Sequence, residues 1–204
     1  QGVVTGQSGK LIISDTMKLP GDLFVHLGKV ESGTLHTGET VHLSVDRRLR
    51  KETEIHHTAT HILHAVLRKV LGDHVKQAGS LVASDRLRFD FSHHEKMTDE
   101  QKSEVERIVN EQIAKDLKVS FAEYPTEEAR GPLGALGQFG DRYGDTVKVY
   151  KMIADNADRP FSFEICGGPH VDHTLQLFED GKKFKIQKEQ SSSAGIRRIK
   201  AVLI

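Results

Sequence analysis

Two histidines four residues apart, His57 and His61, stand at the head of an apolar run and constrain this chain more than any other feature. On an α-helix, residues four apart lie on the same face, so both imidazoles can reach one metal ion. The run over residues 62–71 has the apolar spacing of a buried helix face. We therefore expect a helix over about residues 52–71 that carries the histidine pair beside the core.

A second pair with the same spacing lies far downstream, in Cys166-Gly167-Gly168-Pro169-His170. The two glycines allow a tight turn, so that the thiol and the imidazole can converge. Three imidazoles and one thiolate form the mixed nitrogen and sulfur set that zinc prefers over the harder cations magnesium and calcium. The sequence therefore predicts a zinc site made by His57, His61, Cys166 and His170.

Each half of this pattern also has a simpler interpretation. Histidine pairs more often lie in a core or on a surface, and a single cysteine is usually a buried apolar residue. His56 and His64 offer other pairings, but His56 falls on another helix face and His64 lies deeper under the apolar surface. Thr58 follows His57, so the glutamate base of an HExxH zinc protease is missing. Four protein ligands are typical of structural zinc, and catalysis would need one loosely held ligand.

The composition excludes some function classes. The 29 basic residues balance the 29 acidic ones, which argues against RNA binding by net charge but permits a local basic patch. One cysteine allows no internal disulfide and favours a reducing compartment, so we expect a cytoplasmic location. Because no apolar run approaches the roughly 20 residues of a membrane span and no signal peptide is visible, we expect no membrane partner.

The pattern of elements indicates an α+β fold. Residues 1–50 predict short strands separated by turns, which is typical of a small β-barrel. A basic linker over residues 47–51 precedes the first helix, whose first turn holds Glu52 and which Gly72 ends. A capping box at Thr98 opens a second helix that runs to about residue 116. Further strands follow, with a glycine-rich turn segment over residues 131–140.

Four segments in the same order resemble the editing domain of alanyl-tRNA synthetases: residues 57–64, 77–91, 166–171 and 194–201. Residues 27–33 resemble the small barrel that precedes that domain. The resemblance covers essentially the whole chain. Free-standing trans-editing deacylases of the AlaX type share the fold and the activity of this family.

The resemblance implies a truncated barrel over residues 1–50 and a two-layer α/β zinc editing domain over residues 51–204, without an aminoacylation domain. Its activity would be hydrolysis of serine or glycine from mischarged tRNA(Ala), attached to the aminoacylation part of a longer polypeptide. The family's zinc ligands match the four predicted here, and its pocket residues match Thr60 and Gln77. Arg197 and Arg198 match a basic pair near the tRNA acceptor end, and they join the most basic stretch of the chain with Lys182, Lys183 and Lys185.

Several alternatives stay open. Pro169 stands where alanyl enzymes often have threonine, and the ending Gly168-Pro169-His170 resembles the related editing domain of threonyl-tRNA synthetases. The barrel-like start and the ending around Gly195 nevertheless favour the alanyl family. Leu175 replaces the family's usual glycine, which changes the local loop. The Thr60 hydroxyl has a simpler role, since helical threonines often bond their own backbone. The chain could also be a free-standing deacylase, or a tRNA-binding module whose zinc is only structural.

Overall fold

The computed structural model describes residues 1–21, 23–137 and 143–204, and these divide into two units, Gln1–Lys51 and Glu52–Ile204. In the described residues, the first unit has one antiparallel sheet and the second has two, and we describe the two units separately. In these described parts, no helix combines the length and the apolar character that a membrane crossing requires.

The first unit is an open four-stranded sheet. Its strands pair antiparallel in the order β3-β2-β1-β4, so β3 and β4 are edges and the described strands do not close into the predicted barrel. Closure of a sheet into a barrel depends on the number, the tilt and the stagger of its strands. The alternation of apolar residues, which predicts each strand, contains no information on these quantities. The strands are β1 (Gly2–Thr5), β2 (Gly9–Leu19), β3 (Leu23–Gly33) and β4 (His42–Val45).

The first helix, α1 (Arg47–Leu71), begins earlier than the predicted residue 52. The basic cluster is therefore its first turn and not a linker. The reason is Asp46, whose carboxylate accepts the Leu49 amide at 3.0 Å and so satisfies a free N–H of the helix start. The predicted C-terminal glycine is confirmed, because Gly72 has φ +115° and donates its amide to Arg68 at 2.9 Å.

The second unit combines two antiparallel sheets with helices, as the α+β expectation requires. The sheet orders are β10-β11-β6-β5 and β7-β8-β9. Residues 138–140 of the predicted glycine-rich turn lie outside the described residues. The elements are β5 (Gln77–Val82), β6 (Leu87–Ser92), α2 (Asp99–Ala114), β7 (Lys118–Pro125), α3 (Thr126–Arg130), β8 (Thr146–Ile153), β9 (Ser162–Ile165), β10 (Phe184–Ser193) and β11 (Ile196–Leu203).

The core of the second unit lies along α1, and its burial fixes the orientation of that helix. Ile62, Leu63 and Val66 of α1 are fully buried with Phe89 and Phe91 of β6, and α2 and β11 contribute to the same cluster. Burial of side chains of this size contributes about 1.5–3 kcal/mol each. The predicted capping box is also confirmed, with the Thr98 hydroxyl accepting the Gln101 amide at 3.1 Å.

A 3₁₀ segment that the sequence analysis missed, Thr174–Gly181, follows the second predicted ligand pair. Its first residue is fully buried: the Thr174 hydroxyl accepts the Leu117 amide at 2.8 Å and donates to the Ile113 carbonyl at 3.1 Å. This residue therefore ties the end of α2 to the chain that leaves His170.

Candidate metal centre

The four predicted ligands meet in the second unit. α1 supplies His57 and His61, and the loop after β9 supplies Cys166 and His170, with all four ligand atoms within 4.8 Å of one another. The Cys166 Sγ lies 3.3 Å from His57 Nε2 and 3.4 Å from His170 Nε2. Because Cys166 follows His57 by 109 residues, only the tertiary fold creates this cluster.

The loop after β9 needs its second glycine. Gly168 has φ +70°, a region that side chains disfavour, and a Cβ there would lie 2.5 Å from the Tyr150 hydroxyl. The Gly168 amide donates to Cys166 Sγ at 3.4 Å, and the Gly168–Pro169 peptide is cis. The tight turn that the sequence predicted therefore brings Cys166 and His170 to one point.

Each histidine of the cluster is held by an oxygen at its Nδ1. A carbonyl or carboxylate can only accept, so it places the proton of the neutral ring on Nδ1 and leaves the Nε2 lone pair available to a metal, whereas a hydroxyl orients the ring without fixing its tautomer. These partners are the Pro169 carbonyl for His57 at 3.1 Å, the Glu164 carboxylate for His61 at 3.0 Å and the Thr58 hydroxyl for His170 at 3.1 Å.

Glu164 is the most important residue that the sequence analysis missed. It is buried, and its Oε2 accepts from both His61 and His64, the latter at 3.1 Å, while its Oε1 accepts from the Ser162 hydroxyl at 3.1 Å. Burial raises the pKa of Glu164, but His61 and His64 outweigh it and hold that pKa well below its usual value. The available signal was a carboxylate within an apolar strand, which needs a cationic or hydrogen-bonding partner.

The electrostatics of the cluster favour a thiolate. Burial raises the pKa of Cys166, but the contacts of its sulfur with the ring nitrogens of His170, His57 and His61 outweigh burial and lower that pKa to about 3. Burial lowers the pKa of His61, yet the Glu164 carboxylate and Cys166 raise it overall. The two negative groups therefore stand beside the imidazoles, a charge balance that suits a bound cation.

This donor set fits a divalent transition metal. Imidazole nitrogens and thiolates are the usual ligands of tetrahedral sites, and the oxygens that orient the imidazoles are already in place. His64, the other candidate on α1, turns its Nδ1 to Glu164, and its Nε2 is buried without a hydrogen-bond partner. The group His57, His61, Cys166 and His170 could therefore hold a metal ion.

A cavity of about 350 Å³ adjoins the cluster, and both predicted pocket residues line it. The Thr60 hydroxyl donates to the His56 carbonyl at 2.8 Å, so it bonds its own backbone and also lines the cavity. Its oxygen keeps lone pairs that can accept a further hydrogen bond. Gln77 donates its amide to the Ser80 hydroxyl at 3.3 Å, beside the same space.

The predicted RNA-contacting residues lie on and before the β10–β11 hairpin. Arg198 makes two hydrogen bonds of 2.7 Å to the buried Asp90, and Arg197 donates to Glu189. Among the described residues around the cavity, none belongs to this predicted set. The other members are Lys182, which is half-buried, and Lys183 and Lys185, which are exposed.

Comparison with known proteins relates this chain to one family of synthetases. Residues 147–200 match the family described as Threonyl and Alanyl tRNA synthetase second additional domain. Alanine–tRNA ligase of Acidithiobacillus ferridurans is 46% identical over 99% of this chain, and that of Staphylococcus saprophyticus is 43% identical over 99%. The chain belongs to the alanyl-tRNA synthetase family. It spans 22% of the length of these two relatives.

The match to alanyl-tRNA synthetases covers both halves of the cluster. The second-additional-domain match contains Glu164, Cys166 and His170, whereas His57 and His61 on α1 lie outside residues 147–200. The alignments with the two alanine–tRNA ligases extend over 202 residues, and these include the α1 pair. All four candidate ligands therefore lie in a segment homologous to alanyl-tRNA synthetases.

Proposed function

We propose that this chain is the editing part of an alanyl-tRNA synthetase and hydrolyses serine or glycine esters from mischarged tRNA(Ala). The observation that carries the proposal is the cavity beside the His–Cys cluster, in a segment homologous to a synthetase family. A synthetic pocket made for alanine rejects serine poorly, because an apolar pocket cannot strongly exclude a substrate that only adds a hydroxyl. A second, hydrolytic site solves this problem.

The metal that we propose is zinc, held by His57, His61, Cys166 and His170. The support is the donor set itself, since borderline-soft nitrogen and sulfur ligands with oriented imidazoles suit zinc better than magnesium or calcium. When bound, zinc would supply Lewis acidity, which serves either to activate water or to orient the aminoacyl group. The protein contributes the charge of Cys166 and the fixed ring orientations.

Thr60 is proposed as the residue that recognises serine. Because its hydroxyl proton is engaged by the His56 carbonyl, its oxygen can accept a hydrogen bond from a donor in the cavity. The hydroxyl of a serine ester is such a donor. Gln77, which lines the same cavity, would bond the substrate or the attacking water. The two residues would thus position the substrate and not carry the metal.

The RNA surface that we propose is the basic hairpin, with Lys182, Lys183 and Lys185 as phosphate contacts and Arg197 and Arg198 beside them. The aminoacylation part would belong to the rest of a longer polypeptide, consistent with the 22% of the relatives that this chain spans. A free-standing deacylase agrees less well with relatives that are several times longer than this chain. A second candidate is a tRNA-binding module with structural zinc, which the four protein donors favour.

The test is deacylation of Ser-tRNA(Ala), compared with Ala-tRNA(Ala) and with tRNA(Thr) mischarged with serine. We expect serine release from the alanine tRNA only. Thr60→Val and Gln77→Ala should lose this activity and keep tRNA binding, while Ser103→Ala on the exposed face of α2 should match the wild type. Wild-type protein that binds zinc and tRNA but releases no serine would support the binding module and exclude the hydrolase.

A further inference from the structure

A group of three side chains outside the catalytic proposal extends from the cluster to solvent, and we call it the aromatic platform. It consists of Phe121 on β7 and of Tyr150 and Lys148 on β8. The Phe121 ring is 5.1 Å from the Tyr150 ring, and the Lys148 Nζ lies 4.7 Å from the Phe121 centroid. Phe121 is 50% exposed on an edge strand, so one face of the platform is open to a ligand.

The platform is continuous with the candidate metal centre. The Tyr150 ring lies 4.4 Å from that of His170, and Lys148 lines the cavity. Antiparallel pairing sets Phe121 opposite Tyr150 and Glu123 opposite Lys148, which places all four side chains on one face of the sheet. A molecule whose reactive end enters the cavity therefore has aromatic rings within reach of its outer part.

We propose that the aromatic platform stacks the 3′-terminal nucleobase of the RNA whose aminoacyl ester occupies the cavity. This inference rests on the proposed function and names how that site holds its substrate. An ester on the terminal ribose brings the attached base to within one nucleoside of the hydrolytic site. Aromatic side chains bind unpaired bases through their π-faces without strict sequence preference, and a neighbouring cation adds affinity for the backbone.

The charges around the platform suit an RNA end. Lys148 is 4.0 Å from Glu123, and both side chains are exposed, so this ion pair is weak and open to competition. A phosphate would replace Glu123 as the partner of Lys148 while the base covers Phe121. Glu123→Gln should therefore strengthen RNA binding slightly, because it removes a competing anion from the lysine.

The absence of tryptophan from the sequence makes a direct stacking test possible. In Phe121→Trp, we expect the tryptophan fluorescence to be quenched by an RNA minihelix that carries no amino acid and has the tRNA(Ala) acceptor stem ending in CCA. The same minihelix ending in CC should leave the fluorescence nearly unchanged. The matched control is Phe24→Trp, since Phe24 is 59% exposed and has Lys18 Nζ 5.7 Å from its ring, but lies in the other unit.

A kinetic measurement separates this inference from the proposed function. Phe121→Ala should raise the KM for a serine-charged minihelix on the order of tenfold with kcat retained, whereas Phe121→Tyr should stay near the wild type. If the wild type hydrolyses the ester and Phe121→Ala has an unchanged KM, the platform is wrong and the hydrolase stands. Equal quenching by CCA and CC ends would also overturn it. CCA-dependent quenching without any hydrolysis would support the platform and reject the proposed function.

Discussion

At the scale of single residues, one carboxylate oxygen controls two imidazoles. Oε2 of Glu164 accepts from both His61 and His64, so the orientation of a candidate ligand depends on a residue outside the candidate ligand set. Residues of this kind typically change metal affinity by 10–100-fold when replaced. Their effect should therefore be visible without any measurement of activity.

We predict that Glu164→Gln weakens zinc binding by about 10–100-fold, because the amide oxygen is a weaker acceptor than the carboxylate for Nδ1–H of His61 and the amide presents a donor to one of the two imidazoles. Competition with a chromophoric chelator measures the affinity. Glu95→Gln, an exposed replacement of the same chemistry, should bind zinc like the wild type. Equal affinities in the two variants would show that Glu164 does not orient a ligand.

Cys166→Ala should lose zinc and serine release together, because the thiolate supplies the negative charge of the donor set. Metal content after gel filtration and the deacylation rate are the two measurements. His74→Ala, which changes an exposed histidine, should keep both. Stoichiometric zinc in Cys166→Ala would contradict the four-ligand assignment.

The clustering of the four candidate ligands could be predicted from sequence and the residues that orient them could not, for a physical reason. Each ligand pair has a local spacing of four residues, which a helix or a tight turn converts into proximity. The supports have no such spacing: His57 contacts the Pro169 carbonyl, which is 112 residues away. Thr58 and Glu164 likewise act across long separations, so only the folded chain reveals them.

At the scale of elements, a helix end could be predicted from the sequence where the residues that cap it lie close to it along the chain. The box at Thr98 is visible because both of its partners lie within four residues, and the bounds of α2 were close to those predicted. The predicted start of α1 at residue 52 was wrong because residues 47–51 were assigned to a linker, although Asp46 caps them with the right spacing. Whether the sheet of the first unit closes into a barrel could not be predicted from local sequence patterns at all.

Thr98→Ala should destabilise the second unit by about 1 kcal/mol, since it leaves the Gln101 amide without its side-chain acceptor. The midpoint of urea unfolding measures this change. Ser103→Ala, inside the same helix and exposed, should stay within about 0.5 kcal/mol of the wild type. A loss of the same size in both variants would mean that the cap contributes nothing specific.

At the scale of the whole molecule, a bound metal would join α1 to the loop after β9. Zinc that binds only the folded state adds stability in proportion to the logarithm of its excess over the dissociation constant. With saturating zinc, we predict a rise in the Tm of the second unit on the order of 10 °C over protein in excess chelator. Differential scanning calorimetry measures it, and Cys166→Ala should show little difference. A Tm that is the same in zinc and in chelator would argue against binding to the folded state.

The carboxylate partners of the hairpin arginines determine how many counterions RNA binding would release. Asp90 and Glu189 already neutralise Arg198 and Arg197, so an approaching phosphate gains little from either side chain. Each phosphate neutralised on duplex RNA or DNA changes the logarithmic salt dependence of binding by somewhat less than one. We therefore expect the ionic-strength dependence of binding at this hairpin to count its lysines alone, while its two arginines hold β11 to β6 and β10.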